Sequence, residues 1–366
     1  VSRIDPLENN LIINGHMPLA QRVGDLGSVA GINAGAVKYA ADRFFVNVGA
    51  GVTGIVSLSH VSSPPPLILS GYATQKASRI DVTTLQASIS ASHLANFNTT
   101  IEGYDIQRLF GKSFLVYFLT RTNKTGLYPY FAANGANDRI YVQGLNLVGD
   151  SQWQRHSFLV PAETGGTWTF DEGLGLRTGL TLIGGSDFFV SDGIWNVTGG
   201  FNPGLAGNVN FFDSTSNFLE ITNMMILPGN FSQNVVDNIQ FIPVARNFSD
   251  TVNKCQYFFE SSWNFDQAVG STAGPFNVTR FEQSAGGFAM RMPQTWQRKR
   301  VPGLFESYSG LTTTIARVNI NSVDVPATDK SSNTLGGWVE NNTINPSGGA
   351  SYGYMWTIES EIIAPT

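Results

Sequence analysis

Hydrophobic positions along this chain alternate with polar ones in a period of two. "GIVSLSHV" sets Val56, Leu58 and His60 against Ile55, Ser57 and Ser59, and "DRFFVNVGA" alternates loosely from Phe44 to Val48. Such alternation predicts half-buried strands. "ASRIDVTTLQASISA" is rich in β-branched residues, which suit a pleated surface. "KSFLVYFLTRT" is a denser apolar run and predicts a strand covered on both faces. "RIYVQGLNLV", "WQRHSFLVP" and "LGLRTGLTLIGGS" follow, each bounded by Gly, Asn, Asp or Pro, and "FLEITNMMILPG" reads as a closing strand. Strand patterns recur roughly every 10–25 residues with no long amphipathic helix between them, which points to an antiparallel sandwich rather than βαβ units.

Two stretches depart from this rhythm. "NTTIEGYDIQRLFGKS" reads as a loop with a helical turn near Ile106–Leu109. "RNFSDTVNKCQYFFESSW" places Phe248, Val252, Cys255 and Phe259 at helical spacings, with Ser249 as the expected N-cap, and predicts a short helix near 249–260 with a buried stripe. β patterning then returns in "GPFNVTRFE", "GGFAMRMP", "TTTIARVNINSV", "LGGWVENNT" and "SYGYMWTIESEI". The expected organisation is an extended segment over 1–27, a β-sandwich over 28–229 and a smaller β-sandwich over 230–366 that contains the helix. In the first segment, "ENNLIINGHMPLAQRV" carries an apolar run at Leu11-Ile12-Ile13 and a turn at Asn14-Gly15. It is too short to span a membrane and too interrupted for a helix.

Composition narrows the function classes. Apolar residues make up 42% of the 366, enough for a globular core, but charged residues only 13%, about half the usual share. With 39 glycines and abundant Asn, Ser and Thr, the expected surface is neutral-polar and rich in turns. A net charge of −5 disfavours a general nucleic-acid binder. No apolar stretch of about 20 residues predicts a membrane span, and "VSRIDPLENN" lacks the apolar core of a secretory signal. A single cysteine, Cys255, precludes an intramolecular disulfide framework or a multi-Cys zinc site, and it reads as a core residue.

Candidate chemistry is sparse. His16, His60, His93 and His156 fall in no metal-binding spacing, and neither a nucleophile elbow nor a phosphate loop is present. Asp171-Glu172 and Asp187/Asp192 are the closest carboxylate groupings; a glycosidase needs two carboxylates about 5–10 Å apart, whereas acids in such Gly-rich loops read as turn formers or solvated groups. No cofactor is expected, although loop oxygens leave room for a structural Ca²⁺. "WQRKRVPG" (Arg298, Lys299, Arg300, beside Trp296) is a dense basic patch, read as an exposed hairpin end that could also meet an anionic glycan. Aromatics are the better lead, because sugars pack their C–H faces on rings while polar side chains fix the hydroxyls. Trp195 and Asn196 lie in the Gly- and Asn-rich "SDGIWNVTGGFNPG", and Tyr128 and Tyr130 in "TGLYPYFAANGAND" fit either a strand start or a loop rim. These four are the candidate glycan contacts. Trp153 and Trp168 lie beside apolar strand patterns and read as core.

Several segments, in order, resemble the virion structural proteins of tailed phages. "NNLIINGHMPLAQRV" resembles their N-x-I-x-N-G-x-M-x-x-A-Q-R-G start, with Val23 where Gly is usual. "YAADRFFVN" resembles their D-R-W/F opening of the first sandwich. "IEGYDIQRLFGKSFLVYFLTRTNKTGLY" and "SQWQRHSFLVPAETGGTW" are similar to their I-E-G and G-T-W stretches. "LEITNMMILPG", "RNFSDTVNKCQYFFESSW" and "YGYMWTIESEI" resemble the later motifs, the second of them a C-Q-R-Y-F-like segment. The resemblance covers nearly the whole chain. It implies an all-β protein with a carbohydrate-binding-module-like jelly roll, located on the exterior of the virion, and not an enzyme. The motif residues Trp153, Trp168, Cys255 and Tyr257 then read as structural.

The expected function is a fibre or appendage protein attached to the particle through its N-terminus and contacting host-surface glycans. Its expected partners are other virion proteins (capsid, tail or baseplate), sister chains in a homotrimer, and host cell-surface polysaccharide, with no nucleic acid and no membrane insertion. Leu11, Ile12, Ile13, Met17 and Leu19 are the candidate docking and oligomerisation residues, expected to be ordered only against another chain. A decoration or adaptor protein without a ligand is one alternative. A glycan-degrading tailspike or its binding module is another, disfavoured because no repeat of some 20 residues is present.

Overall fold

The computed structural model describes residues 10–71, 73–242, 248–261 and 269, and eight strands between 279 and 359. The "WQRKRVPG" patch lies outside the described residues. In chain order the first strands are β1 (Ser28–Ile32), β2 (Val37–Tyr39), β3 (Phe44–Val48), β4 (Ile55–Ser62), β5 (Lys76–Thr84), β6 (Leu94–Glu102), β7 (Phe114–Thr122), β8 (Gly126–Asn134), β9 (Arg139–Leu147), β10 (Trp153–Val160), β11 (Leu174–Gly184), β12 (Trp195–Val197) and β13 (Phe218–Pro228). Short helices are α1 (Leu67–Ser70), α2 (Gly103–Ile106), α3 (Gln233–Asn238) and α4 (Phe248–Gln256).

These strands form two antiparallel sheets, β1-β4-β5-β13-β7-β10 and β12-β9-β8-β11-β6-β3-β2. The chain changes sheet at β1–β2, β3–β4, β5–β6, β6–β7, β7–β8, β9–β10, β10–β11 and β12–β13, the repeated crossing of a jelly roll. The fold is an all-β antiparallel sandwich, as the strand pattern predicts, with the jelly-roll crossing that the family resemblance implies. The alternation in "GIVSLSHV" is realised in β4, where Val56, Leu58 and His60 are buried and Ser57 and Ser59 are not. Across the register, Leu58, Ile80 and Leu219 share the inward face. Opposite them, Phe44 stacks on Phe97 at 5.7 Å, and Phe118 of one sheet stacks on Tyr130 of the other at 5.9 Å.

The outer faces are covered as well. β7 and β11 are buried along nearly their whole length, as the dense "KSFLVYFLTRT" run predicts for its strand. On one sheet, Leu115, Tyr117, Leu119, Met225 and Leu227 point outward and pack under Val236 of α3 and Phe241, with Leu69 and Trp153 beside them. On the other, Phe131, Ala133, Ile140 and Val142 lie under Val190, Phe201 and Leu205 of the long β11–β13 excursion. Where the first cover ends, Arg79, Glu220 and Arg121 stand in direct register across β5, β13 and β7. The buried Glu220 carboxylate accepts from Arg79 at 2.9 Å, Arg121 at 3.3 Å and the Ser63 hydroxyl at 2.7 Å. An ionised group that far from water is tolerated because each oxygen is paired.

The N-terminal segment corrects an expectation. Leu11, Ile12, Met17 and Leu19 are buried in this chain's own fold and Ile13 is half-buried, so they are not free docking residues. The cause lies in β13. It pairs with β5 only over Phe218–Ile221, and a bulge between Thr222 and Met225, with Asn223 at φ 56°, turns its edge away. The open backbone is taken by the segment: Leu11 N–H donates to Ile226 O, Met224 N–H to Gly15 O, and Ile226 N–H to the Asn10 side chain. Gly15 is required there, because a Cβ would run into the Met224 carbonyl oxygen. Asn14, at φ 61°, makes the expected turn and donates to Asp42 O at 2.8 Å. Met17 is fully buried, its carbonyl 2.7 Å from His60 Nε2 and its sulfur accepting from Ser78 N–H.

The division of the chain also differs from the 1–27, 28–229 and 230–366 expectation. The described residues up to Pro18 and Ser28–Thr251 form one compact unit, and Leu19–Gly27 cluster with Val252–Glu361 in another. Gln21-Arg22 accordingly belong to the second unit. Gln21 donates to Phe259 O at 3.2 Å, and the Arg22 guanidinium lies 4.0 Å from the Phe259 ring centroid. Phe259 opens β14 (Phe259–Ser261), which is followed by β15 (Thr279–Gln283), β16 (Met290–Thr295), β17 (Leu304–Tyr308), β18 (Arg317–Ile320), β19 (Val323–Pro326), β20 (Thr328–Ser331), β21 (Gly336–Asn341) and β22 (Ala350–Glu359). β22 pairs with β14, β15, β17 and β18, and β21 stands between β16 and β20. The helix runs Phe248–Gln256, so Ser249 lies inside it rather than at its cap. Cys255 is buried as expected, but Phe248 is half-exposed and Tyr257 lies past the helix end.

Met17→Ala is expected to lower unfolding free energy by about 2–5 kcal/mol, the range for emptying a buried methionine site, as read by urea titration. A second expectation concerns pH. Burial pulls His16 and His156 down to about 4, from 6.5 in the unfolded chain. Groups depressed by folding give stability that is complete above pH 6.5 and lost as pH falls toward 4. Melting temperatures should therefore drop across that window, and His16→Asn/His156→Gln should flatten the slope; an unchanged slope would exclude these two histidines as its source.

Candidate functional site

Surface aromatics gather at the β12 edge of the seven-stranded sheet. Trp195 begins β12, directly opposite Tyr141 of β9, and the two rings sit 5.9 Å apart. Trp168, from the β10–β11 loop, meets Trp195 edge-on at 6.0 Å. Phe110, just past α2, meets Trp168 at 5.9 Å and Phe170 at 5.3 Å, both edge-on. The result is a continuous ridge from Tyr141 to Phe170. Edge-on contacts suit the ring quadrupoles and leave part of each face uncovered. Tyr141 is buried beneath the ridge, Trp195, Trp168 and Phe110 are half-buried, and Phe170 is 40% exposed. Tyr104, 57% exposed on α2, carries its hydroxyl 3.5 Å from Glu172 at the same end.

The ridge is held rigidly. The Trp195 indole N–H donates to Pro161 O at 2.8 Å and that of Trp168 to Gly165 O at 2.7 Å. Asp138 accepts from Thr167 N–H at 2.9 Å and from Asn134 Nδ2 at 2.6 Å, while Asn134 also donates to Thr167 O. Although burial raises the Asp138 pKa, the bonds from Asn134 and Thr167 and the nearby Arg139 bring it below its ordinary value, so it holds the loop as a carboxylate. Gly103 N–H and Tyr104 N–H donate to Gly173 O and Asp171 O, tying α2 to the far end of the loop. Such a surface is preorganised: little side-chain freedom remains to be lost on binding.

The structure sorts the sequence candidates. Trp195 is in the ridge. Asn196 is not a free ligand group: its amide donates to Ser191 O and Ile194 O and accepts from Ser191 N–H, closing the 191–196 loop. Tyr128 and Tyr130 are corrected outright. Both are fully buried between the sheets, with Tyr130 edge-on to Phe158 at 5.0 Å and accepting from Thr178, and Tyr128 donating to Lys124 O. Burial raises both phenol pKa values. Alternation on β8 points these two inward because its other face, with Phe131, is covered from outside. Trp168 is corrected from core to ridge. Phe110, Phe170 and Tyr104 escaped the sequence reading. The signal for Phe170, and for Trp168, was the loop "TGGTWTFDEG", whose Trp and Phe alternate with threonines between glycines and so offer no apolar face to a core; nothing comparable marks Tyr104 and Phe110.

The other candidates serve structure. Asp171 accepts from Gly173 N–H two residues on, the turn-forming role expected of it, whereas Asp192 accepts from Gly144 N–H and ties its loop to β9. His156 bonds Thr120 at 2.8 Å, and His93 accepts from Ser90 N–H. Among the described residues, no group of three or more His, Cys, Asp or Glu is placed to hold a metal ion.

Fold and surface together define a jelly-roll β-sandwich bearing an ordered aromatic ridge on one edge. No family model matches the chain, and no curated protein matches it. Solved structures similar to it include TmCBM61 in complex with β-1,4-galactotriose, at 10% identity and TM-score 0.28 over 60% of this chain and 98% of that one. A putative sugar-binding protein of Bacteroides thetaiotaomicron gives 11% identity and TM-score 0.31 over 60% and 99%. The enzymatically active domain of bacteriophage CBA120 tailspike protein 4 gives 10% and 0.26 over 51% of this chain but 19% of that one. At these scores the likeness carries no functional argument, and the reading below rests on this chain's own residues.

Replacing Asn196 by Ala removes the bonds that close the 191–196 loop. Backbone amide exchange at Ser191 should accelerate at least tenfold, with a global loss of about 1–2 kcal/mol. Protection equal to the parent would show that the loop does not depend on this amide.

Proposed function

We propose that this protein is an exterior virion protein of a tailed phage, of the fibre or appendage type, that holds host-surface glycans on the Trp195–Trp168–Phe110–Phe170 ridge. The ridge carries the glycan half of the reading: partly uncovered rings with fixed orientation, and neighbouring polar groups at Tyr104 and Glu172. Sugar C–H faces pack on such rings, and loop-borne polar groups select among hydroxyl patterns. The ordered motifs along the chain support the virion half. Particle attachment is not assigned to Leu11–Leu19, which the fold itself consumes. The ridge is read as a binding surface rather than a catalytic centre, since the nearby Asp138 and Asp171 carboxylates are engaged by backbone donors.

A decoration role without a ligand is the second reading, and the buried N-terminal segment gives it no separate support. A glycan array and adsorption to host cells distinguish the two. The full chain should retain a subset of glycans, and Trp168→Ala and Trp195→Ala should each weaken retention about tenfold, a loss of about 1.4 kcal/mol for one aromatic platform. Unchanged binding in both variants would remove the ridge from the reading, and no binding by the parent chain to any glycan or cell would favour decoration.

A further inference from the structure

A second polar cluster lies away from the ridge, on the outward face of β3, β6 and β11. Arg177 of β11 is fully buried, and among the described residues no carboxylate pairs with it. Its Nε donates to Asn98 Oδ1 and one terminal nitrogen to Asn96 Oδ1, both at 3.0 Å. The guanidinium lies 3.9 Å from the Phe201 ring centroid. Its other terminal nitrogen, Nη1, has no hydrogen-bond partner, nor does Asn96 Nδ2. Asn47, directly across from Asn96 in the β3–β6 register, has an unpartnered carbonyl oxygen. Two donors and one acceptor, all on side chains more than nine-tenths buried, thus lie on three adjacent strands, one of them on the buried positive charge itself.

Such an arrangement is costly as a structural device. An unmade bond to a charged group forfeits more than one to a neutral group, and an isolated buried cation is tolerated only when something balances it. Burial pulls Arg177 down to about 9, so it remains charged at neutral pH. A carboxylate is the matched complement of a guanidinium edge with a neighbouring amide donor. The unpartnered acceptor on Asn47 suits a hydroxyl on the same molecule. The roof is light. Phe201 is carried on an arm beginning Gly199-Gly200, and a Cβ at Gly199 would meet nothing within 4 Å. Firm bonding resumes at Asn202 Nδ2 to Asp187 O and at Pro203 O, which accepts from Thr181.

We propose that Arg177, Asn96 and Asn47 form a binding site for an acidic sugar of the uronic acid class, its carboxylate on Arg177 Nη1 and Asn96 Nδ2 and a hydroxyl on Asn47 Oδ1. The sugar is admitted when the Gly199–Phe201 arm lifts. This assignment is independent of the ridge, and it is read with free monosaccharides rather than with the glycan array, so either can fail alone.

The test is calorimetric titration of the full chain with sodium glucuronate, glucose and sodium acetate at matched ionic strength. Saturable glucuronate binding is expected, at least tenfold tighter than acetate and with no glucose signal. Asn96→Asp, nearly isosteric, places a carboxylate against Arg177 from within. It should raise the melting temperature and weaken glucuronate at least tenfold. A crystal soaked in glucuronate should place its carboxylate on Arg177. No saturable binding, equal binding of glucose or acetate, an Asn96→Asp protein that binds as the parent does, or only water between Arg177 and Asn96 in the soaked crystal would each overturn the proposal.

Discussion

The first unit depends on one constraint: both of its sheets carry apolar side chains on both faces. A sandwich normally hides one face of each sheet and wets the other. Here β7 and β11 are buried on the outside too, so the chain must supply a cover for each. Residues 231–242 cover one sheet and the excursion between β11 and β13 covers the other. Apolar burial drives both covers, at roughly 1.5–3 kcal/mol for each large side chain fully removed from water.

The chemically notable features lie where these covers end or where they close over polar groups. The Arg79–Glu220–Arg121 row stands at the margin of the first cover, satisfied by its own cross-strand neighbours and Ser63. The aromatic ridge stands at the sheet edge where the β10–β11 loop meets β12. Arg177 lies beneath the second cover, where Phe201 closes over a polar patch as well as over Phe131. Edge, margin and roof are places where strand periodicity no longer dictates residue type.

The strands were legible because burial on a pleated surface imposes a period of two, as in Val56, Leu58 and His60. The double coverage of β7 could be read from its unbroken apolar run. The candidate site was legible only at Trp195, whose Gly- and Asn-rich surroundings offer no core. Tyr128 and Tyr130 were misplaced because β8 is apolar on both faces, so its pattern does not say which face meets the other sheet. Trp168 was misplaced because its neighbouring strand pattern suggested a core that its loop never enters. The N-terminal run failed differently: an apolar strip needs a partner, and nothing local says whether that partner is another chain or a bulged strand some 200 residues away.

By itself, then, the sequence determined the class of fold, the position of most strands, the turn at Asn14-Gly15 and the burial of Cys255, because each follows from local periodicity or backbone preference. Tertiary structure decided which unit claims Leu19–Gly27, what takes the open edge of β13, which aromatics form the ridge, and that Arg177 is buried among asparagines without a carboxylate. These are pairings between residues remote in sequence, fixed by sheet register and by which loop happens to lie across which face. Local pattern records that a side chain must be covered. Only the folded chain decides by what.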